Sequence, residues 1–297
     1  MRSDSQVECP GGRNPHSETE DGKRHRGRGP GELSVISLGP GHRSYMVPEA
    51  LDALLSASIV FGYKTYIELI AELVEGRTVV SSGMRKEVQR CQQAIDHAVA
   101  GEKVALVSSG DAGIYGMAGL VFDLCRERDL RTAPPDGQPE GPVDLFIRVI
   151  PGVAAFNAAA SLLGAPLMHD FAAVSLSDHL TPWPLIQERL TAASSADFVL
   201  AIYNPRSKAR PDLLEAAQQV LLRHRCPETP VAIVRQAMRK GQWKHLTTLE
   251  EIPFDEVDMQ SVVIVGNSRT YVWNGWMVTP RGYLEKYSLS DRQGMPD

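Results

Sequence analysis

The sequence predicts an α/β fold in two parts, an N-terminal domain with a mostly parallel sheet and a second, mixed α/β domain. Three observations predict it. Short β-branched runs alternate with amphipathic helical segments over the first half of the chain, the pattern of βαβ units. From about Phe171 the strand candidates come closer together, with only two helices inserted. And three strands of the first half end in glycine turns.

In chain order, Leu33–Leu38 reads as a strand. Pro48–Ser56 reads as a helix with proline in its first turn and Ala50, Leu51, Leu54 and Leu55 on one face. Ser58–Phe61 and Thr78–Ser81 are short strands. Glu87–Ala100 is helical, with Val88, Cys91, Ile95 and Val99 on one face and Gly101 as its stop. Lys103–Ser108 and Leu145–Ile150 are buried strands, and Ile114–Arg128 and Val153–Leu163 helices. The later strand candidates are Ala173–Leu176, Phe198–Tyr203, Val231–Arg235, Trp243–Leu249 and Val262–Val265, with helices at Pro184–Ala193 and Pro211–His224. The expected organisation is a disordered tail over 1–31, domains over 32–168 and 169–283, and a polar tail over 284–297. Residues 1–30 hold too little apolar surface to offset their ordering entropy, and the four prolines between Thr132 and Pro142 mark an exposed loop.

Bulk properties exclude several classes. A net charge of −5 gives no global bias toward nucleic acid or membrane. The four cysteines are far apart and form no C-x-x-C pair, which points away from a zinc site or disulfide framework and toward a reducing, cytoplasmic setting. No run approaches the ~18 apolar residues of a membrane span, and the N-terminus has no apolar signal segment.

The chemistry concentrates in the three turns: Leu38-Gly39-Pro40-Gly41, Ser109-Gly110-Asp111-Ala112-Gly113-Ile114-Tyr115 and Ile150-Pro151-Gly152-Val153-Ala154-Ala155. In open α/β sheets ligands bind outside the carboxyl ends of the strands, so three such turns are expected to converge on one rim. Pro40 removes a backbone N–H from the first turn, and neither a dinucleotide fingerprint nor a Walker lysine is present. That suits a ligand carrying adenosine without phosphate, for which S-adenosylmethionine is the natural candidate.

The order GPG, SSGDAGIYG, IPGVAAFNAAA, AIYNP, PVAIVR resembles the tetrapyrrole methylase family over roughly residues 32–283. The stretches Gly83–Val88, Ser175–Trp183 and Tyr203–Ser207 are most similar to the branch that methylates ring carbon 17 of precorrin-3B and contracts the macrocycle, a step of cobalamin biosynthesis. The resemblance implies two α/β domains holding S-adenosylmethionine in the cleft between them, a homodimer and a tetrapyrrole substrate; no protein-bound metal is expected, because no helical H-x-x-x-H or H-E-x-x-H spacing is present. It implies cofactor contacts at Gly39, Pro40, Gly110, Asp111, Ile114, Tyr115, Ala154, Ala155, Tyr203, Asn204 and Ala232. Several relatives carry a hydroxyl residue where this chain has Ala154.

Methyl transfer needs alignment more than a strong base, but ring contraction requires a proton acceptor. Asp178 and His179 are the candidates, joined by His169 and Asp170 if the hinge folds back; Asp178 as a turn cap is the alternative. The substrate's carboxylate arms call for cations, with Arg85 and Arg206 first among Arg85, Lys86, Arg206, Lys208, Arg235 and Arg239. Trp183 either lies along the macrocycle edge or pins its loop to the core. Competing readings are an RNA or protein methylase of the same fold, a binding module that senses its ligand, and a phosphate-handling enzyme.

Overall fold

A computed structural model describes residues 29–287. The first part of the chain runs β1 (Gly31–Ser37), α1 (Pro48–Ser56), β2 (Ile59–Tyr63), α2 (Lys64–Leu69), β3 (Thr78–Ser82), α3 (Glu87–Val99), β4 (Lys103–Ser108), α4 (Ala118–Glu127), β5 (Thr132–Ala133) and β6 (Leu145–Ile150). Its six strands form one sheet in the order β3-β2-β4-β1-β6-β5, and every pairing in it is parallel. A parallel sheet is covered on both faces, which is why its strands read as nearly continuous apolar runs. Leu33 and Val35 of β1 pack under α3 and α4. Ile36, from the opposite pleat, packs with Ala50 and Leu54 of α1 on the other face.

The chain continues through α5 (Ala155–Leu163), β7 (Gly164–Ala165), β8 (Phe171–Ser175), α6 (Trp183–Ser195), β9 (Val199–Tyr203), α7 (Leu213–Leu221), β10 (Pro230–Arg235), β11 (Trp243–Thr248), β12 (Ser261–Val265), β13 (Tyr271–Trp273), β14 (Trp276–Val278) and α8 (Tyr283–Lys286). The second sheet, β11-β10-β12-β9-β8, is mixed: β8 and β9 are parallel, and the pairings of β12 and β10 are antiparallel. One face packs on α6 and α7 through Ile186, Leu190, Leu214 and Leu221. The other packs on α5, where Ala159 and Ala160 let the helix lie close to Ala201 and Ala232. A third, small sheet, β13-β14-β7, returns the C-terminal hairpin to the segment between the two large sheets.

Two departures from the sequence reading have a clear cause. The helix expected from Ile114 begins only at Ala118. Tyr115 stands at φ 53°, a left-handed conformation no α-helix contains. Gly116 is pressed onto Ala112, whose carbonyl would lie 2.5 Å from an added Cβ. The turn therefore stays open as a loop. The helix expected from Val153 begins at Ala155, because Ala154 is extended at φ −65°, ψ 154°. At the margins, β1 already begins at Gly31 and Tyr283–Lys286 is a short helix, inside stretches read as tails; residues 1–28 and 288–297 lie outside the described residues. Helix α2 and the β13–β14 hairpin were not expected at all. No helix among the described residues is long and apolar enough to cross a membrane.

Candidate functional site

The three turns meet at the C-terminal edge of the first sheet. β1 and β4 are adjacent, and beyond their ends Gly39 and Gly110 exchange two backbone hydrogen bonds, 3.0 Å from Gly39 N to Gly110 O and 2.7 Å in return. Both glycines have positive φ, 65° and 68°, which only glycine adopts freely. The third turn, after β6, closes on this pair. A Cβ on Gly152 would lie 2.6 Å from Ser37 Cβ and 2.7 Å from Gly110 O, so the close approach requires its absence.

Asp111 ties the turns together. Its Oδ1 accepts from Gly113 N at 2.8 Å and its Oδ2 from Gly152 N at 3.0 Å. Ser37 Oγ accepts from Ala112 N at 2.8 Å. The second turn is thus anchored at both ends, and much of the rim it presents is main chain.

The second sheet supplies the opposite wall. Tyr203, at the end of β9, accepts at its hydroxyl from Phe156 N at 3.1 Å, serving an otherwise free N–H in the first turn of α5. Burial pushes the Tyr203 phenol up to about 12. The neighbouring Tyr115, 5.1 Å away between ring centres, donates its hydroxyl to Ala173 O at 2.9 Å and is also raised by burial. Asn204, at φ 51°, donates from Nδ2 to Ser175 Oγ at 2.9 Å.

Between these walls lies a cavity of about 320 Å³, at the lower end of the roughly 300–1,000 Å³ of small-molecule sites. Its lining brings together Pro40, Gly110, Asp111, Ile114, Tyr115, Ala155, Tyr203 and Asn204, eight of the cofactor residues expected from the resemblance. Gly39 stands directly behind Pro40 and Ala154 beside Ala155. Ala232 is elsewhere. It is fully buried among the residues under α5, and Val234, two positions on along β10, is the residue that reaches the cavity.

Sequence reasoning missed the contribution of the β2–α2 junction, where Tyr63 ends β2 and Tyr66 lies in α2, and that of Gln236, Ala237, Met259 and Gln260. The signal for the first was available, since every strand of a parallel sheet ends on the same edge. Backbone strain marks the same place: Tyr115, Asn204, Gln236 and Met238 all have positive φ, a costly conformation for such residues.

The candidates for proton transfer stand apart from this cavity. Asp178 accepts from Arg210 Nη1 at 2.6 Å, and the same nitrogen donates to Ser177 Oγ at 3.1 Å. Hydrogen bonding to Arg210 holds the Asp178 carboxyl below the usual carboxylate range. His169 Nδ1 accepts from Asp170 N at 2.8 Å. No bond joins that pair, or His179, to Asp178 among the described residues.

Trp183 opens α6 and packs against the core beneath the second sheet, pinning its loop. Arg206 donates to Phe254 O and pairs with Asp255 at 3.0 Å. It lines a second, more open pocket of about 620 Å³ with Lys208, and Met259 and Gln260 are shared by the two cavities. Arg85 stands at φ 61°, next to the cavity residue Met84. Arg235 lies over the Trp243 ring, 5.4 Å from its centre.

Comparison with known proteins agrees with this geometry. The family model described as Tetrapyrrole (Corrin/Porphyrin) Methylases matches residues 32–253. The chain is 52% identical over 251 residues to a probable cobalt-factor III C(17)-methyltransferase of Salmonella typhimurium, covering 84% of this chain and 99% of that protein. It is 45% identical over 263 residues to a cobalt-factor III methyltransferase of Priestia megaterium, covering 89% of this chain and 47% of that protein. Among solved structures, the methyltransferase CobJ superposes with a TM-score of 0.76 at 35% identity, covering 84% of this chain and all of that one.

Proposed function

Because the chain belongs to the tetrapyrrole methylases, we propose that it is an S-adenosylmethionine-dependent methyltransferase that methylates ring carbon 17 of a precorrin-3B-type macrocycle, in its cobalt form, with contraction of the ring. The observation that carries this reading is the convergence of three glycine turns on one cavity closed by Tyr203 and Asn204. The names of the two relatives, which specify cobalt-factor III, support the cobalt form.

The residues fit the cofactor. The cavity has the size of a small-ligand site, its rim is glycine-lined where a ligand must approach main chain, and Pro40 in its first turn offers no amide donor to a phosphate. When bound, S-adenosylmethionine supplies a methyl group activated by a sulfonium. Pro40, Gly110 and Ile114 shape one wall of its site, and Tyr115 and Ala155 narrow the approach to the other. Holding two reactants in line in this way is worth up to ~7–11 kcal/mol of barrier, so methyl transfer asks for no strong base.

The macrocycle is assigned to the adjoining pocket beneath Arg206 and Lys208, whose cations suit its acid arms. Asp178 closes the loop over this region through Arg210; a carboxylate held below its usual range is a weak proton acceptor. A homodimer is part of the same proposal, and the exposed Tyr271, Val272, Trp273 and Trp276 of the hairpin offer a face for it.

The test is incubation with methyl-labelled S-adenosylmethionine and precorrin-3B or its cobalt counterpart, following label, mass and absorption. A product heavier by one methyl with a contracted ring is expected from the cobalt form. Cofactor binding without transfer to either macrocycle would remove the substrate assignment.

A further inference from the structure

Arg239 lies in the loop that follows β10, yet its side chain crosses the cleft to the first sheet. Its Nε donates to Pro40 O, and its Nη2 donates to Ser109 Oγ at 2.5 Å. It thus touches both of the turns whose glycines bond each other. Gly41 makes the crossing possible, since a Cβ there would lie 2.7 Å from Arg239 Nε.

Three other arginines of the second part carry acidic partners, Arg206 with Asp255, Arg210 with Asp178 and Arg225 with Asp197, and the half-buried Arg235 lies over the Trp243 ring. Among the described residues Arg239 has neither an acidic partner nor a ring beneath it, although it is half-buried and burial pulls its pKa downward. Nη1 forms no hydrogen bond there either, and the side chain lines the 320 Å³ cavity. A guanidinium stays protonated at any ordinary pH. A desolvated charge without a counter-ion is costly, and one that borders an open cavity gains its partner when an anion enters. The remaining nitrogen, Nη1, offers a charged N–H donor, whose strongest acceptor is an anionic oxygen such as a carboxylate's.

We infer that Arg239 is the carboxylate-receiving residue of the cavity: it holds the Pro40 and Ser109 turns with two of its nitrogens and presents the third to a ligand carboxylate. This rests on the proposed function for the identity of the ligands, and two of them carry the group. One is the amino-acid end of the cofactor; the other is an acid arm of the macrocycle. Either contact sets the ligand against the residue that joins the second part of the chain to the first.

The experiment is titration calorimetry of wild type, Arg239→Gln and Arg239→Lys with S-adenosylhomocysteine and with its decarboxylated 3-aminopropyl analogue, alongside absorbance titration with the cobalt macrocycle. If the cofactor's carboxylate is received, Arg239→Gln weakens S-adenosylhomocysteine at least tenfold and the decarboxylated analogue less than twofold. If the macrocycle's arm is received, S-adenosylhomocysteine changes less than twofold and the macrocycle weakens at least tenfold. Arg239→Lys, which keeps the charge, recovers threefold or more of whichever loss is seen, and it carries the test if the Gln variant does not fold. Equal losses for carboxylated and decarboxylated ligands with the macrocycle unchanged, or no loss for any ligand, overturns the assignment. Wild-type protein that binds neither S-adenosylhomocysteine nor the macrocycle removes the functional reading beneath it.

Discussion

Asp111 has both carboxylate oxygens committed to backbone N–H groups of two different turns. Hydrogen bonds to a charged acceptor contribute about 1.5–3 kcal/mol each, so Asp111→Ala, which removes two of them, one exposed to water, is expected to lower stability by about 3 kcal/mol, the low end of the sum, and S-adenosylhomocysteine affinity at least tenfold, measured by urea melts and calorimetry on the same preparation. At Asp178 the sign follows from its lowered pKa. The Arg210 pair is intact above the ordinary carboxylate range and is lost as pH falls through the depressed value. At neutral pH the carboxylate is therefore ionised, and Arg210→Ala should move its midpoint upward toward that of a free aspartate in a carboxyl-carbon NMR titration. Both Asp111 and Asp178 were legible as turn residues. The sequence could not tell which would span two turns and which would meet an arginine from another loop, because those partners are 41 and 32 positions away.

Elements differ in how plainly they announced themselves. The strands β4 and β6 have the bounds their apolar runs predict, since buried parallel strands are delimited by where the chain turns polar. The C-terminal hairpin was passed over although Asn274-Gly275, flanked by the apolar triplets Tyr271–Trp273 and Trp276–Val278, is a strong local hairpin signal. Both residues have positive φ, 48° and 79°, as its tight turn requires. The start of α4 was not legible, because the barrier to an earlier start is the packing of Gly116 on Ala112. The rim gives the element-scale prediction. Gly152→Ala forces a methyl against Ser37 and Gly110, an overpacking worth about 1–3 kcal/mol, and should cost ligand affinity more than it costs the melting temperature. Helices α3 and α4 bury Cys91 and Cys125, and burial pushes the Cys91 thiol up to about 12. A mild thiol reagent should modify the exposed Cys226 in the native state and leave Cys91 and Cys125 unmodified until the protein is denatured, as peptide mass mapping would show.

At the scale of the whole molecule, the cavity is walled by two sheets with separate cores, so a ligand that fills it adds to the few links between them, among them Tyr115 on Ala173 and Arg239 on Pro40 and Ser109. Saturation at 100 times the dissociation constant stabilises by about 2.7 kcal/mol. At roughly 2–4 °C per kcal/mol for a chain of comparable size, S-adenosylhomocysteine should raise the unfolding midpoint by at least ~5 °C, and a differential scan would show it. The placement of β1 at the centre of its sheet bears on how the protein is made. The strand emerges first, yet its two neighbours are β4 and β6, and the second of these is completed only at Ile150. At ~5–20 residues per second on the ribosome, Leu33–Ile36 waits on the order of ten seconds with one or both edges bare. Nascent chains halted between β4 and β6 should therefore be the species that a chaperone holds longest.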